Sequence, residues 1–468
     1  MKKLIFSIIG IITLMLSSCG DKTTANLFNS VPKNTKFLTV VNPAQIFEKA
    51  GAGAATSKSD LAKLLDTQTT QRGEKSKDEW SFILGNAQTK DESKEIIDPE
   101  SLILVYEYKN ATLVTFLVKD EKAFREGIEE KTGDKLSEGK DKLWISAKHK
   151  IFTKGKQAWL TSGYPALNDD DIKILTSLKE EESILSLDKG KEMAENKADI
   201  AFLYELKDLM QFGVLNSNVT MGLNLAYDDP SYLSGYMNFN VGKAEGEIKV
   251  LNNKFQPAKR ALAPGKIDTN LLSKFPGKGN IFFATNISSN IITTVLGKLK
   301  NVMLPFEIKD ALQKVNGTII ASLNNTLDEE GTMQPSSGTI AISMADDASA
   351  DSVAASLEEY GKEMFEADVR ADGNILLIDW GEPSGTPMAS VANNFENCNL
   401  GVVVLSDALS GESNAPVRSL IKEVALGLAD QGESSVIKIR IDTKEGTSAF
   451  NSLFEAGSFA LNLNKLWK

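Results

Sequence analysis

Histidine is nearly missing from this chain of 468 residues: His149, within Lys148-His-Lys150, is the one example. It is read as a solvated residue at a hairpin turn. That removes Ser-His-Asp and Cys-His catalysis, HExxH zinc sites and multi-histidine metal centres. Cysteine is as scarce, with Cys19 and Cys398 alone, so a paired-cysteine zinc site has no ligands to draw on. Arginine numbers six against 46 lysines. This offers no sign of the planar forks that clamp phosphate or carboxylate. Long apolar runs are also few. Leu4 to Leu16 is one, and no second run of its kind follows.

What is present begins at that run. Met1-Lys2-Lys3 is a short cationic start, and Leu4 to Leu16 is too short to span a bilayer as a mature helix, so the pair reads as a secretory signal. It closes on Leu16-Ser17-Ser18-Cys19, which resembles a lipobox. The resemblance implies cleavage before Cys19 and acylation of its thiol. Two or three acyl chains, at about 0.8 kcal/mol per buried methylene, make a stable anchor. With Cys19 acylated, Cys398 has no partner and is read as a buried structural thiol.

Gly20 to Ser30 is polar, as a tether should be. Loss of residues 1–18 takes away Lys2 and Lys3, moving the net charge from −11 to −13. So acidic a body argues against nucleic acid and against docking on anionic lipid through a basic patch. Lipid on Cys19 is then the expected contact with the membrane.

The mature length calls for two domains or two fused halves. Phe37 to Val41 is expected as a buried strand that turns at Asn42-Pro43 into a helix ending near Gly51. Pro276 to Asn286 repeats the spacing of Pro32 to Asn42 around a second apolar strand. Hairpins follow in both halves: Ser101–Tyr108 with Ala111–Val118, and Gly317–Leu323 with Gly338–Met344. Each hairpin runs into a helix, one capped by Asp120 and stopped by Gly133, the other started by Asp346-Asp347 and stopped by Gly361. Next come Lys142–Ser146 with Gln157–Thr161 in the first half. In the second, Asn374–Trp380 follows the tight turn Asp372-Gly373, with Gly401–Leu405 as its partner. Helices are expected at Asp169–Leu178 and Pro416–Leu428, and closing strands at Asp199–Tyr204 and Ser435–Ile441. Between the halves, Val219, Met221, Leu223, Leu225 and Tyr227 alternate. They are read as the first strand of a β-meander that continues through Leu233–Val241 and Glu247–Leu251.

The expected fold is therefore α+β: two pseudo-repeated halves of mostly antiparallel sheet with helices packed on one face, plus a β-meander after the first half. The expected organisation is a lipoprotein signal peptide over 1–18 and a polar tether over 19–30. The first α+β half with its meander covers 31–256, a linker 257–270 and the second half 271–468.

A lipobox, then Val31-Pro-Lys and a hydrophobic strand running into a polar-capped helix, then hairpin-helix units over Val31 to Leu461, resembles a family of Bacteroidota lipoproteins. That family is termed domain of unknown function 4836. Where its members tend to show a Gly-Ile-Asp-like turn before the first hairpin, this chain has Glu95-Ile-Ile-Asp98-Pro99. The resemblance implies an envelope lipoprotein and carries over no functional residue. Asp351-Ser352-Val353 also looks like the O-glycosylation acceptor of that phylum, and a helix N-terminus accounts for the same residues equally well.

Other chemistry is weakly signalled. Ser-x-x-Lys occurs at Ser137/Lys140, Ser186/Lys189 and Ser419/Lys422, as the lysine content makes unsurprising. Lys131-Thr-Gly133 ends a helix, whereas the corresponding penicillin-binding motif lies on a strand. Gly51-Ala-Gly53 follows a helix and does not join a strand to one, so no nucleotide is expected there. Asp169–Asp171, Asp228-Asp229, Asp328–Glu330 and Asp346-Asp347 lack calcium-loop spacing and mostly start helices. Trp144, Trp159 and Trp380 alternate with aliphatics on strands, which favours burial over sugar stacking.

The sequence thus points to a non-catalytic binding or structural module, lipid-anchored in the cell envelope at the outer membrane, periplasmic or surface-facing. Its partner is an unknown envelope protein or a glycan, and no cofactor or metal is expected. A glycan-binding accessory protein and a carboxylate-based hydrolase are the alternatives.

Overall fold

The computed structural model describes residues 27–49, 98, 101–132, 135–146, 150–162, 167–211, 217–262, 264–298, 306–327, 333–409, 415–431 and 434–453. The protein is α+β with antiparallel sheet throughout the registers below. It divides into two compact units, residues 1–216 with 231–240, and residues 217–230 with 241–468. The expected linker, 257–270, lies inside the second.

In the first unit, β1 (Phe37–Val41) is buried at all five positions. Its helix α1 (Pro43–Lys49) is capped by Asn42, whose Oδ1 accepts from the Gln45 amide at 3.2 Å. Pro43 suits the first helical position because its fixed φ is already helical and no N–H is lost. β2 (Ile103–Tyr108) and β3 (Ala111–Leu117) form the expected hairpin, and Lys109 and Asn110 take positive φ at its tip. Asp120 caps α2 (Glu121–Thr132) through the amides of Lys122 and Ala123. Short strands β4 (Leu136–Glu138), β5 (Leu143–Ser146), β6 (Ile151–Lys154) and β7 (Gln157–Ser162) follow. Then come α3 (Asp169–Leu175), α4 (Asp188–Glu195), β8 (Ile200–Glu205), α5 (Leu206–Gln211) and β9 (Tyr232–Asn240). The strands lie in the order β4-β5-β6-β7-β3-β2-β1-β8-β9.

The second unit contains α6 (Ser217–Ala226), β10 (Lys243–Leu251), α7 (Thr269–Lys274), β11 (Lys278–Gly279), β12 (Ile281–Ser288), α8 (Ser289–Lys298) and α9 (Phe306–Gln313). It continues with β13 (Val315–Leu327), β14 (Met333–Met344), α10 (Asp347–Phe365), β15 (Ala367–Asp372), β16 (Ile375–Trp380) and β17 (Thr386–Pro387). β18 (Cys398–Leu405), α11 (Ala415–Leu420), β19 (Ile421–Gln431) and β20 (Ser434–Thr443) complete it. Its main sheet runs β15-β16-β14-β13-β12-β18-β19-β20-β10, and β11 pairs with β17.

These two orders share a plan. Each half opens on a strand (β1, β12) that becomes central. The next strand pairs on one side of it and the third pairs outside that, followed by a helix and then by antiparallel strands, four in the first half (β4–β7) and two in the second (β15, β16). The chain then returns to the other side of the central strand with β8 or β18, and β9 or β19 follows outward. The side-chain alternation of the second sheet feeds two cores. Val315, Ile319, Ile342, Val369 and Leu376 pack with α8, α9 and α10 on one face. Phe282, Ala284, Ile320, Ala341 and Leu377 face Leu272 of α7 and the turns at Met388, Val391 and Phe395 on the other.

Four local expectations are corrected. Val219 to Tyr227 is not a strand: Val219, Leu223 and Tyr227 are also one helical turn apart, and the Tyr227 amide donates to the Leu223 carbonyl at 2.9 Å. The meander therefore loses its first limb to α6. Pro416 to Leu428 is not one helix, because α11 stops at Leu420 and β19 takes over. Small residues explain this, since Ala425, Gly427 and Ala429 form the buried face of β19, and a Cβ on Gly427 would sit 2.7 Å from the Cys398 sulfur. The partners of Gly401–Leu405 are β12 and β19, not Asn374–Trp380. Gly361 does not end its helix, which runs to Phe365, and Glu366 takes the left-handed position after it (φ 51°).

Candidate functional site

Cys19, the expected lipidation residue, lies outside the described residues, as do His149, Gly51-Ala-Gly53, Asp328–Glu330, Trp80 and Trp467. Ser352 is exposed in the second turn of α10, and its neighbour Val353 is buried in the core beneath. The hydroxyl of Ser352 accepts from Lys314 Nζ at 3.4 Å, while Asp346 starts the helix by accepting from the Ser349 amide at 2.7 Å. Hydrogen bonds from the Ser349 side chain and amide hold the Asp346 carboxyl below its ordinary range. Ser352 thus presents its oxygen to solvent from a capped, packed helix.

The acidic knots sort into structural tasks. Asn168 and Asp171 form a capping box on α3, and Asp171 also pairs with Lys109. Asp229 occupies a turn at φ 51°. Among the described residues no group of three or more His, Cys, Asp or Glu is placed to hold a metal ion. Of the Ser-x-x-Lys pairs, Ser186 donates to the Ser183 carbonyl at 2.7 Å, and the Lys189 ammonium pairs with Glu192 at 2.9 Å. Lys422 pairs with Glu445 at 2.7 Å. In both, the ammonium is engaged by a carboxylate.

Two sets of converging carboxylates were not legible in the sequence, because strand register assembles them. Asp368 and Asp379 face each other across β15 and β16, and Arg370 bonds both. Glu423 and Asp442 face each other across β19 and β20. Arg440 donates through Nε and Nη2 to the two oxygens of Asp442 at 2.9 and 2.7 Å. Asn394 Nδ2 donates to Glu423 Oε1 at 2.8 Å. Burial pushes the Glu423 carboxyl above the ordinary glutamate range, partly offset by the Asn394 bond. Asp442 thus has both oxygens engaged by the Arg440 guanidinium, while Glu423 is held by Asn394.

Trp159 is buried and stacks on Phe152 with centroids 5.2 Å apart. Trp144 is half-buried, with the Arg125 guanidinium 3.9 Å from its ring centre. Trp380 is half-buried against Gly338, where an added Cβ would lie 2.4 Å from the indole. Cys398 is buried, and desolvation raises its thiol above the ordinary value, which leaves it protonated and unreactive at neutral pH.

Neither the family models nor the curated proteins include a match to this chain.

Proposed function

We propose that the protein is a lipid-anchored component of the cell envelope, acylated on Cys19, whose body binds or braces another envelope component without catalysis. Leu16-Ser17-Ser18-Cys19, closing a cationic and then apolar leader, carries this reading. Its physical sense is that a thiol bearing acyl chains supplies membrane attachment to a body whose acidic charge supplies none. Membership of the Bacteroidota lipoprotein family, placement at the outer membrane and an O-glycan on Ser352 belong to the same proposal. Exposure of the Ser352 hydroxyl supports the last of these.

The test is metabolic labelling of cells producing the full chain with an alkynyl fatty acid, followed by mass spectrometry of the N-terminal peptide. The expected product begins at Cys19 and carries the label, and Cys19→Ala abolishes labelling. A mature protein that retains residues 1–18, or is cut elsewhere and remains unlabelled, would overturn the proposal. The same digest reports Ser352: a hexose-containing mass on its peptide, absent in Ser352→Ala, is the expected result.

A further inference from the structure

We propose that Lys49 and Asn238 of the first unit join in an isopeptide bond, which the folded chain forms by itself with Asp199 as proton carrier and ammonia as the leaving molecule. An amine, a carboxamide and a buried acid meet at this point. Lys49 Nζ lies 2.8 Å from Asp199 Oδ1 and 3.5 Å from Asn238 Oδ1. Adding a C=O bond of about 1.23 Å to the second distance places Nζ within about 4.7 Å of Asn238 Cγ, the atom it attacks.

Strand register assembles the three groups. Ile200 of β8 pairs with Met237 of β9, so Asp199 and Asn238 come next as neighbours at that end of the two strands. The Asn42 amide, at the turn between β1 and α1, donates to the Asp199 carbonyl at 2.8 Å and ties the start of α1 to the same place. Ile46 has no exposed surface, and Lys49 follows one turn later on the same side of α1.

Asp199 is fixed at every polar atom. Its carboxylate has no exposed surface and takes the Lys49 ammonium on one oxygen and the Phe239 amide, at 2.6 Å, on the other. Its own amide donates to Asn238 Oδ1 at 3.3 Å. That bond settles which atom of the carboxamide is oxygen and leaves Nδ2 as the leaving group.

Each group then has one task. Asp199 takes a proton from the Lys49 ammonium, which frees the lone pair on Nζ. Nζ attacks Asn238 Cγ, and the negative charge that develops on Oδ1 is met by the Asp199 amide already pointing at it. The Cγ–Nδ2 bond breaks as the Nζ–Cγ bond forms. Of the three ammonium protons, one stays on the new amide, and two leave with Nδ2 as ammonium, one of them by way of Asp199. Nothing is oxidised or reduced, and no co-reactant is needed. Holding amine and carboxamide side by side is what lets so weak an electrophile react. The ion pair between Lys49 and Asp199 is the state of the freshly folded chain, before the bond closes. Once closed, the bond fastens α1 to β9 covalently, with most of the first unit in the loop between them. The inference is independent of acylation at Cys19.

Peptide mapping of the full chain tests it. Folded protein is digested and analysed by mass spectrometry at once and again after prolonged incubation. The expected product is a branched peptide joining Lys49 to Asn238, lighter than its two parts by one ammonia, in most chains at the end. Lys49→Arg, which keeps a cation beside Asp199, should give none, and Asp199→Asn should form it at least tenfold more slowly. Protein held unfolded in urea should not form it. A folded parent without the branched peptide, equal rates in the parent and Asp199→Asn, or a link from Lys49 to Asp199 with loss of water would overturn the proposal. Should Asp199→Asn fail to fold, the comparison of folded with urea-unfolded parent decides alone.

Discussion

Asp199 has no exposed surface, yet both carboxylate oxygens are occupied. Lys49 Nζ lies 2.8 Å from Oδ1, and the Phe239 amide donates to Oδ2 at 2.6 Å. The pair joins the end of α1 to the start of β8, and the Asp199 amide donates to Asn238 Oδ1 at 3.3 Å. Replacing Asp199 by Ala strands the Lys49 ammonium and the Phe239 amide. Breaking such a buried pair costs about 3 kcal/mol, which a urea titration of Asp199→Ala should register as a lower midpoint with unchanged slope.

Glu423 runs the other way. In the folded protein it keeps its proton to a higher pH than in the unfolded chain, because burial disfavours the charge. The folded state therefore binds more protons across that window, and stability falls as pH rises from the ordinary glutamate range through the raised value. Glu423→Gln removes that loss while retaining an acceptor for Asn394. Its melting temperature should exceed the parent's at pH 7, and the gap should close by pH 4.

Gly190 shows how an element is fixed by a single missing atom. It sits inside α4, where Gly→Ala ordinarily stabilises by about 1 kcal/mol. Here an added Cβ would fall 2.0 Å from the Ile184 carbonyl oxygen, which belongs to the preceding turn. Gly190→Ala should therefore destabilise, by about 2 kcal/mol, measured by thermal or chemical denaturation. A stabilised variant would mean that α4 does not pack as described.

At this scale the sequence was legible where local chemistry and tertiary context agree. Asn42-Pro43 starts a helix by capping and fixed φ, Lys109-Asn110 closes a hairpin, and Asp120 caps α2. It was not legible where one apolar run satisfies two periods. Val219–Tyr227 fits alternation and helical spacing alike, and the contact of Tyr227 with Ser435, at 2.6 Å between hydroxyls, arises only in the folded chain. β19 misled through Ala425, Gly427 and Ala429, whose small side chains look helical in sequence but answer the need for close approach beneath Cys398.

For the whole molecule, the shared plan of the halves could be read from the strand that opens each, through the common spacing of Pro32 to Asn42 and Pro276 to Asn286. Strand order could not, since it depends on pairings such as β1 with β8 between residues distant in sequence. The same reason hid the candidate site: Glu423, Arg440 and Asp442 meet by register, and Asn394 joins them from a turn. Net charge acts at this scale as well. A body at −13 should not adsorb to anionic vesicles, so Cys19→Ala protein lacking its leader should remain in the supernatant when such vesicles are sedimented. The acylated form should sediment with them.

The placement of β1 has a kinetic consequence. Phe37–Val41 emerges first in its half, while its two hydrogen-bonding partners, β2 and β8, arrive much later, the second at Ile200–Glu205. Until then an apolar ribbon with both edges bare is open to pairing with any passing strand. A nascent chain built in this order has to be shielded while most of its half is still being made. Removal of the holding factors that escort unfolded polypeptides should leave this protein aggregated well before it loses stability once folded.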